Sequence, residues 1–489
     1  MSTSVSPSGG NLQVLLKDKA WARWTALALL ASAMFFAYIF VDILSPLQEL
    51  LQDQRGWDPV AYGHYAGSEP FLNVFVFFLI FAGIILDKMG VRFTAILSGA
   101  VMVVGAAFNW YAVTDMFEGS AMQSFFNDYL NLPDKWWNIT PFYKGMPASA
   151  KLSAIGFMIF GCGAEMAGIT VSRGIVKWFK GKEMALAMGL EMALARMGVA
   201  VVMVGSPCIA SFVPVSVSRP VAFSLVLVMI GLISFIVYGF MDKKLDSQGV
   251  EEELDDPFKI SDIGRILRLP VFWLVALLCV LYYSAIFPFQ KYAINMLQCN
   301  LHFSAQDAGF VFFVFPIGAA IVTPFIGHYL DIKGKGVSML IYGALLMIFC
   351  HLTFAFVVPA TQSVIITMAA IIVLGISFAL VPAALWPSVP KMIDEKLIGS
   401  AYALIFWIQN IGLYAFPMII GSVLSATNEG VTDPLQYNYT VPMCVFAGLG
   451  VAALIIGIIL KAMDARCHYG LEAPNKVAQD EEVELDGSF

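Results

Sequence analysis

Gly83-Ile-Ile-Leu-Asp87-Lys88-Met-Gly90-Val-Arg92 decides the fold, because it returns later as Gly327-His-Tyr-Leu-Asp331-Ile-Lys333-Gly334. In each copy an apolar run ends in a glycine, an acid, a base and a second glycine, and a new apolar run follows. Gly90 permits a tight turn between two helices. Asp87 lies close enough to the next helix start to favour its positive end, while Lys88 and Arg92 stay in the headgroup region. A second echo lies further on, where Gly161 and Gly198 recur as Gly375 and Gly412 at the same separation. The chain therefore reads as two similar halves.

Composition places both halves in a membrane. Mean hydropathy is +0.78. Hydrophobic residues make up 59% and charged residues 13%, against about 25% charged in soluble domains. A crossing needs about 20 apolar residues. Twelve such runs begin near Trp24, Gly67, Phe93, Leu152, Met184, Val221, Val271, Ala305, Val337, Val364, Leu397 and Val441. The expected fold is an all-α polytopic membrane protein of twelve transmembrane helices in two six-helix pseudo-symmetric halves. Residues 1–23 form the N-terminus, 24–241 the first bundle, 242–268 a linker, 269–463 the second bundle and 464–489 an acidic tail. The first run is too long for a cleaved signal peptide and has no small-residue cleavage pattern after it, so it counts as a span.

Basic residues set the orientation. Arg55, Lys135, Lys144, Lys151, Arg219 and Lys291 fall on one side, and Arg173 and Arg196 lie within spans. The other lysines and arginines, Lys17, Lys19, Lys180, Lys243, Lys333 and Lys396 among them, fall on the side of the termini. The positive-inside rule then puts both termini in the cytoplasm, and a cell (inner) membrane is expected. The net charge of −7 comes largely from Glu251 to Asp256 and Asp480 to Glu484, read as solvated linker and tail. No nucleic-acid partner is implied. The cysteines show no paired spacing, and no metal motif, nucleophile or cofactor constellation is visible, so neither an enzyme nor a cofactor is expected.

Glu165 and Arg196 stand near the centres of the fourth and fifth spans. Each is roughly 20 Å into its span at about 1.5 Å per residue, and a charge at that depth costs roughly 2.5 kcal/mol or more. An acid and a guanidinium fork there suit a zwitterion: the acid takes an ammonium and the fork grips a carboxylate. The competing reading is an internal salt bridge that braces the first half.

The loop motif, with its repeat and twelve spans, resembles the signature of the major facilitator superfamily. A narrower set of stretches resembles the lysosomal dipeptide transporter branch of that superfamily. It comprises Gly161-Cys-Gly163-Ala-Glu165, Trp178-Phe-Lys-Gly-Lys-Glu183, Ala195-Arg196-Met-Gly198, Tyr282-Tyr283 through Phe287-Pro288-Phe289, Ala384-Leu385-Trp386-Pro387, and Gln409-Asn410 before Gly412. The long loop from Asp115 to Lys151 departs from that pattern. The resemblance implies a facilitated carrier of dipeptides working by alternating access, with the acid and arginine at Glu165 and Arg196 in cargo recognition.

Further binding candidates are Tyr282 and Tyr283 in span seven, Trp386 in span ten, and Gln409 and Asn410 in span eleven. Asn410 occupies the repeat position of Arg196, which leaves the halves electrostatically unequal. Asp87, Lys88, Gly90, Arg92, Asp331 and Arg173 are the gating candidates. Prolines 382, 387 and 390 around Trp386 predict a broken or kinked span. Lys291 is expected to snorkel outward. The partners expected are the bilayer and a small-molecule or dipeptide substrate; an accessory subunit is compatible with the sequence but not written in it. An organic-anion carrier using Arg196 and a non-transporting receptor are the rival readings.

Overall fold

The computed structural model describes residues 15–133, 140–248, 260–394 and 397–474. Lys135, Lys396 and the acidic stretches 251–256 and 480–484 lie outside them. The first half comprises α1 (Ala20–Val41), α2 (Gln48–Arg55), α3 (Pro59–Gly67), α4 (Phe71–Val76), α5 (Phe78–Ala112), α6 (Ala121–Asp128), α7 (Ala148–Phe179), α8 (Met184–Ala210) and α9 (Ser218–Asp246). A short α10 (Ile260–Ile266) precedes the second half. That half comprises α11 (Pro270–Leu301), α12 (Ala305–Lys333), α13 (Gly336–Leu352), α14 (Val358–Thr361), α15 (Val364–Met392), α16 (Ile398–Thr427) and α17 (Thr440–Cys467). No strands of regular sheet occur among the described residues.

Among the described residues, eleven stretches are long and apolar enough to cross a membrane. The twelfth crossing is hidden in α5, whose helical signature runs through a turn at Gly90 (φ 76°, ψ 169°). Asn109 Nδ2 donates to the Tyr65 hydroxyl at 2.9 Å, so residue 109 has returned alongside residue 65. Only a hairpin about Gly90 does that. The second crossing is therefore α3, α4 and the first part of α5, and the third is the remainder of α5.

Span two starts earlier than the apolar run and is the interrupted one. Asp58 caps α3 by accepting from Ala61 N at 2.7 Å, with Pro59 in the first turn. The helix then stops at Ser68 before Pro70 and restarts at Phe71. Span ten, expected to break, instead runs unbroken from Val364 to Met392 through its three prolines. Pro390 removes the donor that would meet the Trp386 carbonyl four residues back, and the Tyr402 hydroxyl supplies one at 3.1 Å. A side chain thus repairs the gap that sequence alone predicts.

Polar clamps organise the face where α1 begins and α17 ends, hereafter the terminal face. Lys177 Nζ lies 2.7 Å from Asp242 and 2.6 Å from Asp246, tying α7 to α9, and Trp178 Nε1 donates to Asp242 at 3.0 Å. Arg23 grips Glu183 with two hydrogen bonds of 3.1 and 3.0 Å, which holds the Glu183 carboxyl below its ordinary range. In the second half the chain after α17 folds back. Glu472 Oε1 accepts from both Ser338 N and Ser338 Oγ at 2.8 Å, and Lys391 Nζ donates to the Ala473 carbonyl at 2.7 Å. The start of the acidic tail is thus a strap across the α12–α13 turn.

The halves meet on the opposite, loop face. Gly63 of α3 is pressed on α16 so closely that a Cβ there would lie 2.6 Å from the Pro417 carbonyl. The described hydrogen bonds between halves lie on this face, such as Tyr437 to Gln52 at 2.9 Å and Gln298 to Glu49 at 2.8 Å, or near mid-span. At the terminal face the described ion pairs each stay within one half. The described polar contacts thus close the bundle at the loop face.

Candidate functional site

Glu165 on α7 and Arg196 on α8 are partly accessible at mid-span. They do not form an ion pair with each other. Each reaches across to the second half instead: Asn410 Nδ2 of α16 donates to Glu165 Oε1 at 3.3 Å, and Arg196 Nη1 donates to Thr323 Oγ1 of α12 at 2.9 Å. The guanidinium also sits 5.2 Å from the centroid of the Phe378 ring, within cation–π range. At 3.3 Å the bond to Glu165 is long for one made to a charged acceptor. Both charges are met by neutral groups, and neither charge is neutralised by these partners. The Asn73 side chain, from the restarted α4, is a second hydrogen-bonding neighbour of Glu165.

Tyr38 of α1 lies among these charges, within electrostatic range of Glu69, Glu165, Glu191 and Arg196. Glu69 occupies the break between α3 and α4, where Gly161 of α7 is packed on its backbone. Around Tyr38, three acids share the space with one arginine.

The remaining candidates divide. The Tyr283 hydroxyl accepts from Trp386 Nε1 at 3.0 Å and lies within electrostatic range of Arg196. Trp386 stacks on Phe406 with centroids 4.8 Å apart. Tyr282 turns the other way, buried against α13 with its hydroxyl on the Leu340 carbonyl. Gln409 likewise faces α11, where its Oε1 is 3.2 Å from Cys279 Sγ. Successive helix positions point about 100° apart, so neighbours such as Tyr282 and Tyr283 cannot share one surface.

Among the gating candidates, Asp87 Oδ1 accepts from Arg173 Nη1 at 2.6 Å, and Arg92 lies 3.4 Å from Asp246. Lys88 is exposed beside the Gly90 turn, and Asp331 is partly buried at the matching turn of the second half.

Lys291 does not snorkel. Its Nζ is 2.8 Å from Asp42 Oδ1 and 2.6 Å from the Val41 carbonyl, with the Asp42 side chain only 2% exposed. Gln290 Nε2 donates to the other Asp42 oxygen at 2.6 Å, Ser45 Oγ to Oδ1 at 2.9 Å, and Gln48 Nε2 to the Lys291 carbonyl at 2.7 Å. These hydrogen bonds satisfy the groups that burial takes away from water. Sequence reading missed this network. The available signal was one acid and one base of opposite sign near the same ends of spans one and seven, which are counterparts in the repeat.

Two helical halves enclosing a charged site at mid-span define a multi-pass membrane transporter. The chain belongs to the Major Facilitator Superfamily, whose profile matches residues 30–417 and again 290–466. It is similar to the lysosomal dipeptide transporter MFSD1 of Bos taurus, with 30% identity over 286 residues covering 56% of this chain and 59% of that protein. The Homo sapiens protein of that name is 28% identical over 288 residues, covering 56% and 60%. The alignment thus spans about three-fifths of the length of these relatives. Among solved structures, the nucleoside transporter NupG matches with a TM-score of 0.67 at 12% identity, covering 89% of this chain and 98% of that one. At that identity the likeness speaks for the fold alone.

Proposed function

We propose that this chain carries small zwitterionic solutes, dipeptides first, across a membrane by alternating access as a facilitated carrier. One observation carries the reading. A mid-span acid and a mid-span arginine, both on the first half, are each bonded across to a neutral side chain of the second half and not to each other. A dipeptide's ammonium would replace Asn410 at Glu165, and its carboxylate would join Thr323 at Arg196. Binding would then act on both contacts that link the halves around the site. The relatives named as dipeptide transporters favour the same cargo. With the termini in a cytoplasm, as the positive-inside rule places them, the face held closed is the outer one.

Uptake of radiolabelled alanyl-alanine into proteoliposomes tests the proposal. Saturable exchange is expected, competed by other dipeptides and indifferent to an imposed proton gradient. Exchange of dicarboxylates with no response to dipeptides would replace the reading with an organic-anion carrier.

A further inference from the structure

We propose that Thr323 is a positioning residue for the cargo carboxylate, acting through Arg196 from the opposite half of the bundle. This rests on the reading that Arg196 receives a carboxylate. Thr323 Oγ1 donates its own proton to the Ala319 carbonyl one turn back, at 2.6 Å. That fixes the hydroxyl rotamer and leaves the oxygen as a pure acceptor, turned to Arg196 Nη1 at 2.9 Å. The other side of the cradle is Phe378 of α15, only 8% exposed. Its ring is held by Tyr283, Phe287 and Phe315 at centroid distances of 6.3, 5.7 and 5.9 Å.

A guanidinium has five N–H donors in one plane. A hydroxyl at one edge and a ring at 5.2 Å fix both the rotation and the tilt of that plane. No carboxylate pairs with Arg196 among the described residues, so its remaining donors are available for bidentate capture.

The cradle also depends on conformation. Arg196 belongs to the first half, whereas Thr323 and Phe378 belong to the second. When α8 and α12 separate, the arginine keeps its charge and loses its orientation. Carboxylate capture is thereby strongest in the conformation closed at the loop face.

The test uses the full-length chain in proteoliposomes with alanyl-alanine and its C-terminal amide as probes. Thr323→Val keeps the shape and removes the acceptor, while Thr323→Ser keeps it. Thr323→Val should raise KM for alanyl-alanine about tenfold, the scale of one lost hydrogen bond to a charged group. Maximal rate and the KM of the amide should stay near wild-type values, and Thr323→Ser should behave as wild type.

Equal loss for both probes, or no change for alanyl-alanine, overturns the proposal. If Thr323→Val does not yield folded protein, Thr323→Ala, which also lacks the acceptor, replaces it, and the same selective loss is required. If wild-type protein itself fails to distinguish alanyl-alanine from its amide, the carboxylate role of Arg196 falls and Thr323 falls with it. If wild type distinguishes them and the variants do so equally well, only the role of Thr323 falls.

Discussion

Asp42 and Lys291 form a buried ion pair, 2.8 Å apart, that joins the first half of the bundle to the second at the loop face. Each group keeps further hydrogen bonds, to Ser45, Gln290 and the Val41 carbonyl. A carrier working by alternating access must break this pair in every cycle. Removing one partner leaves an uncompensated charge, which in buried pairs costs about 3 kcal/mol or more.

Asp42→Asn should therefore destabilise the loop-closed conformation and populate the loop-open one. Spin labels at Asp53 and Asp433, both exposed on the loop face of opposite halves, should report a longer distance by pulsed electron resonance. Asp42→Lys combined with Lys291→Asp should return part of the short-distance population. An unchanged distance in the single variant would show that the pair is not a latch.

Gly63 supports the same closure by shape. A methyl there would sit 2.6 Å from the Pro417 carbonyl and 2.9 Å from the Tyr292 hydroxyl. Because that contact lies between halves, Gly63→Ala should fold normally, lengthen the same spin-label distance and slow exchange several-fold. A drop in thermal stability with no change of distance would place the cost within one half.

The terminal-face clamps should differ in strength. Lys177 and Asp242 are 3% and 0% exposed, whereas Arg173 and Asp87 are 15% and 35% exposed. Lys177→Met should lower stability by about 3 kcal/mol, and Arg173→Met by about 1 kcal/mol or less. Thermal melts of detergent-purified protein check the order, and a larger loss at Arg173 contradicts it.

The architecture was readable because its physics is local. Apolar length gives the spans, and the repeated Gly-x-x-x-Asp turn gives the halves. The start of span two escaped because Pro59 and Pro70 bracket a short helix whose residues, such as His64 and Tyr65, are less apolar than a usual span, although Asp58-Pro59 is an ordinary helix start. Glu165 and Arg196 were visible as costly charges. Their partners Thr323 and Asn410, and the Asp42–Lys291 pair, depend on contacts between halves that no periodicity encodes. Thr323 is neutral and gives no such signal at all.

The terminal strap is a smaller test of the second half. Glu472 accepts from Ser338 N in the first turn of α13, a favourable place for an anion. Glu472→Ala should cost about 1 kcal/mol and speed proteolysis after α17, while Glu472→Gln should recover part of the loss. Equal proteolysis rates in all three proteins would detach the strap from the fold's stability.

The central claim is that Glu165 and Arg196 hold opposite ends of one cargo. Its most direct measurement is a crossed competition assay in proteoliposomes, using alanyl-alanine, its N-acetyl form and its C-amide on wild type, Glu165→Gln and Arg196→Ala. Each substitution should weaken alanyl-alanine by about tenfold or more. Glu165→Gln should cost little further for the N-acetyl peptide, which has no ammonium, and Arg196→Ala little further for the amide, which has no carboxylate. Equal factors for capped and uncapped peptides would contradict the account and make the two charges structural.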